Sequence, residues 1–291
     1  MQLIDTYQKS LIIRNYRPAT LRKNVQIARR FLRSVDFPKN INAVAVERYL
    51  IALSDAGRSI KTMKNHLTAI KLFCDYLCRH SVIKENPVGR FPSLNMPEDV
   101  PICLSNSEIA TVYRIGEDLD MSCEFTLALR AGLRMSELRD LLWSDVDIDR
   151  RQLLVRHSKS KRPRSVPLHK SAVNQLKIQK ERFGDLVFVF PGGTGGPGMR
   201  NVWNLPIRRG VNWWCRKSIR PLQREIPALQ DIAVGSTCRG WHALRHTFAT
   251  RAVKAGIDLV TIRDWLGHRK IETTMKYVHI ARHYDQRIET V

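Results

Sequence analysis

The first 85 residues carry apolar positions at the spacing of helices and no segment that alternates like a β-strand. Apolar residues that recur every three or four positions share one face of a helix. The repeat is plain at Leu3, Tyr7 and Leu11. Four such patterns occur, over residues 3–11, 19–32, 43–53 and 60–77. We therefore predict an all-helical N-terminal domain over residues 1–85.

A proline-rich segment follows these helices. The sequence NPVGRFPSLNMPEDVP, residues 86–101, contains four prolines. Proline lacks an amide donor and restricts the residue before it, so the segment is expected to be extended. It is predicted to be a linker between residues 1–85 and a second domain over residues 102–291.

The second domain contains further helical patterns. SNSE, residues 105–108, matches a capping box at the start of a helix. EFTLALRAGLRMSELRDLLW is helical in pattern, with an expected break at Gly132. Another helix is predicted from about His169, and the chain from Trp241 to about Tyr277 is helical again.

The same domain contains candidate strands. QLLVRHSKSKRPRSVPL predicts two short strands joined by a basic turn, and LVFVF, residues 186–190, predicts a buried strand. Residues 192–240 have no clear period. The predicted fold class is mainly α with a small β-hairpin or sheet, in which an all-helical domain precedes a mixed α/β domain.

The charge of the chain points to its partner. Lys and Arg number 49 against 27 Asp and Glu, so the net charge is +22. Each cation placed near a phosphate strengthens binding to a polyanion, so nucleic acid is the first candidate for the binding partner. A membrane surface is the second, disfavoured because the chain has no run of 18 apolar residues and no lipidation signal. MQLIDTYQKS lacks the features of a signal peptide, so we expect a cytoplasmic, nucleoid-associated protein.

The segment WHALRHTFAT, residues 241–250, contains a cluster of basic residues beside an apolar face. His242 and Arg245 stand one turn apart on this helix. A zinc site is an alternative, because Cys238, His242 and His246 recur every four residues. No fourth ligand is evident, and Gly240 is expected to interrupt the helix before Cys238, so we predict no metal.

Six residues together resemble the signature of the tyrosine recombinases, the family of phage integrases and Xer-type resolvases. That signature is an arginine, a hairpin lysine, His-x-x-Arg, a further histidine and a tyrosine nucleophile. The chain has all six in this order. Arg134 lies in GLRMSEL and Lys159 in the basic hairpin, while His242 and Arg245 both lie in HALRH. His268 ends LGH, and Tyr277 follows it near the end of the chain. The resemblance extends over essentially the whole chain.

The resemblance implies cleavage and rejoining of DNA strands. Tyr277 would attack a phosphodiester and form a 3′-phosphotyrosyl bond, while Arg134 and Arg245 neutralise the phosphate. His242 would act as general base or phosphate ligand, and His268 would hydrogen-bond the phosphate. Lys159 would protonate the leaving 5′-oxygen. The covalent bond conserves energy, so neither ATP nor a metal cofactor is expected.

The resemblance also implies an assembly on DNA. Residues 1–85 would be a core-binding domain that forms a C-shaped clamp on the duplex with the catalytic domain. A tetramer would act on paired half-sites of double-stranded DNA, with or without accessory proteins. The tail after Tyr277 is short for the C-terminal helix that family members exchange between protomers.

Several assignments have alternatives. Lys161 competes with Lys159 and Tyr284 with Tyr277, and Glu137 either orients Arg134 or lies at the surface. The candidate DNA contacts are equally well explained as solvated charges; they are Lys61, Lys64, Lys71, Lys161 and Arg162. The tryptophans and arginines of residues 192–240 either stack on bases or, as we favour, pack under the domain.

Two other functions fit some of these sequence features. A topoisomerase-like enzyme would keep the chemistry and relax supercoils as a monomer on any sequence. A non-catalytic DNA-binding protein derived from an integrase would keep only the binding. The intact set of six residues argues against the second, and site-specific recombination is the function we predict.

Overall fold

The structure is a computed structural model with two compact units, residues 1–99 and 100–291. It describes residues 2–35, 41–89, 91–95, 101–156, 163–191, 211–230 and 239–283. For residues 211–216, 239 and 282–283 the description covers the backbone alone.

The described part of the first unit contains four helices, at the predicted positions. They are α1 (Gln2–Ile13), α2 (Pro18–Arg33), α3 (Ala43–Asp55) and α4 (Ile60–Arg79). The predicted apolar faces form the core: Tyr7 and Phe73 are fully buried and their rings meet edge to face at 5.0 Å. Local caps fix the helix starts, since Asn42 accepts from the Ala45 amide and Ser59 from the Thr62 amide.

The second unit contains the remaining helices and the sheet. Its helices are α5 (Asn106–Asp118), α6 (Ser122–Arg130), α7 (Met135–Arg139), α8 (Lys170–Phe183), α9 (Val211–Glu225), α10 (Arg239–Lys254), α11 (Leu259–Leu266) and α12 (Glu272–His283). The predicted capping box is present, because Ser105 caps α5 and Glu108 accepts from the Ser105 amide at 2.8 Å. The predicted break at Gly132 separates α6 from α7.

The sheet has three antiparallel strands in the order β1-β2-β3. They are β1 (Val146–Asp147), β2 (Gln152–Val155) and β3 (Arg164–Pro167), and the predicted hairpin is the pair β2–β3, in which Val155 faces Arg164. The predicted fold class, mainly helical with a small sheet, is confirmed.

Two predictions for this unit were wrong. LVFVF is not a strand of the sheet: it forms one bridge, Phe188 with Leu142, and Val187 is 59% exposed. Because its partner segment is itself irregular, no ladder extends. The second error is a missed helix, since α9 lies in the part of the chain without a clear period. Pro221 inside α9, together with the neighbouring arginines and tryptophans, interrupts the apolar periodicity from which this helix could have been predicted.

The packing of α9 against α10 explains the glycine at position 240. Gly240 was expected to interrupt the helix before Cys238; it is the second residue of α10, which begins at Arg239, and Cys238 lies outside the described residues. A Cβ at Gly240 would stand 2.6 Å from Ile219 of α9, so glycine is needed for close approach of the two helices. The buried indole of Trp241 donates to Ser218 of α9 at 3.0 Å and extends the same contact.

Among the described residues, no helix is both long enough and apolar enough to cross a bilayer.

The turn at Gly132 generates a test of the packing between α6 and α10. Gly132 has φ +62°, and a Cβ there would lie 2.4 Å from the Phe248 ring. Gly256 has φ +77° with open space around it. We expect Gly256→Ala to lower the free energy of unfolding by about 1–2 kcal/mol from backbone strain alone. Gly132→Ala should lower the free energy of unfolding by about 1–3 kcal/mol more than Gly256→Ala, because its Cβ would also clash with the Phe248 ring. Equal costs in urea unfolding would contradict the packing.

Candidate active site

Arg134 is placed by the turn between α6 and α7. It is the residue that precedes the first turn of α7, and its backbone amide donates to Glu137 Oε2 at 2.9 Å. Its guanidinium also donates to this carboxylate, from Nη1 to Oε1 of Glu137 at 2.7 Å. The side chain of Arg134 is 17% exposed, so it is partly accessible to solvent.

A second arginine holds Glu137 from the sheet. Arg164, at the start of β3, donates to both carboxylate oxygens of Glu137 at 3.0 and 2.7 Å. Its Nε donates to the carbonyl oxygen of Trp265 at 2.6 Å, which ties the hairpin to the end of α11. Gly267 leaves room for this side chain, because a Cβ there would lie 3.0 Å from Arg164 Cδ.

The carboxylate of Glu137 stays ionised inside this cluster. Burial by itself raises its pKa, but the hydrogen bonds and charge of Arg164, with the charges of Arg245 and Arg134, lower it to about 2. One carboxylate thus faces three guanidinium groups. The cluster keeps an excess of positive charge, which is the condition for binding an anion.

Arg245 forms the buried part of the cluster. It lies on α10 with a side chain only 3% exposed, and its Nη1 is 3.8 Å from Glu137 Oε2. Nη1 donates to the carbonyl oxygen of Gly132 at 2.6 Å, and Nη2 donates to that of Leu266. Burial lowers the pKa of Arg245 to about 9, which leaves it charged at neutral pH. Because the carbonyl oxygens of Gly132 and Leu266 hold its guanidinium, the orientation of Arg245 is fixed before any ligand binds.

His268 stands directly after α11 and is held at both ring nitrogens. Its Nε2 lies 3.4 Å from Arg245 Nη2, and its Nδ1 lies 2.9 Å from Thr274 Oγ1 on α12. Since the guanidinium can only donate, Nε2 accepts and Nδ1 carries the proton toward Thr274. Burial and the neighbouring arginines lower the pKa of His268 to about 3, so the ring is neutral.

Tyr277 lies on α12 and faces α10. Its side chain is buried, and its hydroxyl forms a 2.8 Å hydrogen bond with Nδ1 of His246. The ring of His268 stacks on it, with centroids 6.2 Å apart. Burial raises the pKa of Tyr277, while Arg245 and Arg134 act to lower it. The phenol is therefore close enough to both arginines to be affected by their charge.

The structure brings together four of the six predicted residues, namely Arg134, Arg245, His268 and Tyr277. His242 lies one turn before His246 on α10, with ring centroids 6.2 Å apart, and is exposed. Lys159, Lys161 and Arg162 lie outside the described residues, as do Tyr284 and Cys238. Lys61, Lys64 and Lys71 are exposed along α4.

Sequence reasoning missed two residues of the site. Arg164 was one of several cations in the basic hairpin, and only its burial against Glu137 distinguishes it. His246 was considered only as a zinc ligand, although its position four residues after His242 already placed both on one helix face. Glu137, left open between two interpretations, is the centre of the cluster.

Comparisons with known proteins agree with this geometry. Residues 104–283 match the model of the phage integrase family, a range that runs from α5 to α12 and contains all six residues of the signature. The match covers more than half of the chain. The chain therefore belongs to the phage integrase family, the tyrosine recombinases that its sequence resembles.

Individual relatives align over most of their length. A tyrosine recombinase of Thermosipho africanus is 26% identical over 278 residues, covering 92% of this chain and 91% of the relative. Tyrosine recombinase XerC of Chlamydia trachomatis is 28% identical over 254 residues, with 81% and 72% covered.

Solved structures share the fold. A lambda integrase dimer bound to a COC' core site superposes with a TM-score of 0.71 at 19% identity, covering 98% of this chain and 96% of the other. The Tn1549 transposon integrase in complex with a circular intermediate DNA gives 0.70 at 18% identity, with 99% of each chain covered.

The Arg164–Glu137 pair generates a stability test. Arg164→Met removes the bidentate partner of a buried carboxylate, and we expect the free energy of unfolding to fall by about 3–5 kcal/mol. Arg182→Met is the matched control, because Arg182 forms a similar bidentate pair with Asp120 at the surface. Arg182→Met should lower the free energy of unfolding by at most about 1 kcal/mol. Similar losses for the two variants in urea unfolding would refute the role of Arg164.

Proposed function

We propose that this chain is a site-specific DNA recombinase that cleaves and rejoins strands through a 3′-phosphotyrosyl bond at Tyr277. The observation that carries the proposal is the position of the Tyr277 phenol beside a cluster of arginines whose charge exceeds that of their carboxylate. A phosphodiester is an anion, and attack on it by an oxygen requires its charge to be neutralised. Arg134 and Arg245 supply that neutralisation.

The two arginines have different parts in phosphate binding. Arg245 is buried and fixed by the carbonyl oxygens of Gly132 and Leu266, so it forms the preorganised floor of the site. The side chain of Arg134 is 17% exposed, so it binds the phosphate as the more accessible of the two arginines. Arginine suits both positions because its planar fork matches two phosphate oxygens and stays charged.

The bonds of the cleavage step balance without a cofactor. The Tyr277 oxygen forms a bond to phosphorus and loses its proton, while the bond from phosphorus to the 5′-oxygen breaks. Lys159, whose position in the basic hairpin precedes Arg164, donates a proton to the leaving oxygen. Attack by that 5′-hydroxyl on the phosphotyrosine reverses the step and rejoins a strand. The phosphotyrosyl ester conserves the energy of the phosphodiester bond that was broken, so neither ATP nor a metal is required.

The remaining assignments concern DNA binding and assembly. Residues 1–85 contact the duplex through the exposed lysines of α4, and several copies of the chain act on paired half-sites as a tetramer. The Tn1549 and lambda integrases named above are DNA complexes, and the lambda integrase is a dimer on its site. These neighbours support an oligomer on DNA for this chain.

Covalent capture tests the nucleophile. The protein is incubated with DNA from around its own coding region and quenched in detergent, and DNA attached to protein is isolated and sequenced. We expect an adduct with the parent and with Tyr284→Phe, in chelator and without ATP, and none with Tyr277→Phe. An adduct with Tyr277→Phe that is lost in Tyr284→Phe would assign the nucleophile to Tyr284. Salt-sensitive DNA binding without any adduct would favour a non-catalytic protein.

The assay also separates recombination from relaxation of supercoils. Capture at one discrete sequence fits a site-specific recombinase. Capture at scattered positions, together with relaxation of any plasmid by a monomer, would instead identify a topoisomerase-like activity.

Salt dependence tests the lysines of α4. Each phosphate contact contributes about −0.9 to the slope of log binding constant against log salt concentration. Lys64→Gln combined with Lys71→Gln should therefore make the slope shallower by about 2. Lys170→Gln combined with Lys177→Gln removes the same charge from α8 and serves as the control. Equal slopes for the two double variants would mean that the α4 lysines are solvated charges and not DNA contacts.

A further inference from the structure

We propose that His246 is the general base of strand cleavage, its Nδ1 receiving the proton of the Tyr277 hydroxyl as the phenol oxygen attacks phosphorus. This inference rests on the proposed function, because it takes Tyr277 as the nucleophile. It assigns the deprotonation to a residue outside the six-residue signature, in place of His242.

Geometry is the first support. Nδ1 of His246 and the hydroxyl oxygen of Tyr277 are 2.8 Å apart, within the distance at which a base takes a proton directly. The rings are tilted by 43° with centroids 5.6 Å apart, so the contact runs through the nitrogen and not through stacked faces. The two residues lie on α10 and α12, which pack against each other.

The protonation state of His246 is the second support. Burial, the nearby His242 and the charge of Arg245 lower the pKa of His246 to about 4. The imidazole is therefore neutral at pH 7 and has one nitrogen free to accept a proton. Burial raises the pKa of Tyr277, so the shared proton rests on the phenol before the reaction.

Other groups around His246 are less suited to the same task. Arg245, beside it on α10, and Arg134, before α7, are cations that can only donate. His268 presents the flat face of its ring to Tyr277, at an angle of 16°, while its nitrogens point to Arg245 and Thr274. His242, one turn earlier on α10, is exposed, and its ring centroid lies 6.2 Å from that of His246.

The proton has a complete path through one cycle of cleavage and rejoining. As the bond from Oη to phosphorus forms, the phenol becomes acidic and its proton moves to Nδ1, giving an imidazolium. The departing 5′-oxygen takes its proton from Lys159. In the rejoining step the attacking 5′-hydroxyl gives its proton back to Lys159, and the imidazolium returns its proton to the Tyr277 oxygen as the bond from Oη to phosphorus breaks. No oxidant, reductant or metal enters this balance.

A pH profile of cleavage separates a base from a residue that only positions the phenol. His246→Asn keeps an acceptor oxygen near the place of Nδ1 but cannot take a proton. We expect cleavage of the captured DNA site at pH 7 to fall by about 10²–10⁴-fold. The parent rate should be flat from about pH 6 to 8, whereas the variant rate should rise about tenfold per pH unit, because only the phenolate then reacts. His242→Asn, the matched change one turn away, should keep the flat profile.

Fluorinated tyrosine at position 277 provides a rescue. Fluorine lowers the pKa of the phenol, so it should restore much of the rate of His246→Asn while changing the parent little. A substrate with sulfur in place of the leaving 5′-oxygen should not rescue this variant, because it relieves the need for an acid and not for a base.

Histidine nitrogen spectra test the resting state without DNA. We expect the Nδ1 signal of His246 at pH 7 to be that of an unprotonated nitrogen and to shift in Tyr277→Phe. A protonated Nδ1 would overturn the proposal, as would a flat pH profile in His246→Asn or a steep one in His242→Asn. If the parent forms no adduct, the proposed function itself fails; if the parent and His246→Asn cleave alike, only the role of His246 fails.

Discussion

The buried carboxylate of Glu137 is the constraint on which the site depends. It joins Arg134 from the turn before α7, Arg164 from β3 and Arg245 from α10, three elements that are distant in sequence. Without this anion, three guanidinium groups would repel one another in a space with little water. With it, the arginines are held close together, and the positive charge left over is available to a phosphate.

The surrounding fold serves this arrangement. The turn at Gly132 exposes a carbonyl oxygen to Arg245, and the end of α11 supplies two more acceptors, the carbonyl oxygens of Leu266 and Trp265. Because these acceptors belong to the backbone, the orientation of the arginines is fixed by the path of the chain. Such preorganisation is what allows a charged group to stabilise a transition state without first rearranging.

The helical fold followed from the sequence where one apolar face repeats, as in α1 to α4, and where a cap is local, as at Ser105. It did not follow where the determining contacts are distant. The helix α9 is not apparent in the sequence because Pro221 and a cluster of cations break its apolar period. LVFVF resembles a strand in sequence because apolarity alone does not reveal whether a partner ladder exists. The same limit applied to the site. Arg164 is indistinguishable from its basic neighbours until Glu137 is seen beside it, and the significance of His246 depends on Tyr277, which lies on another helix.

The nucleophile is identified most directly by locating the covalent bond to DNA within the protein. The captured adduct can be digested with nuclease and trypsin and the peptide that carries the remaining nucleotide identified by mass spectrometry. Trypsin separates the two tyrosines, since cleavage after Lys276 and Arg282 releases residues 277–282 apart from residues 283–287. We expect the nucleotide on residues 277–282, at Tyr277. A nucleotide on residues 283–287, or on any other peptide, would contradict this expectation.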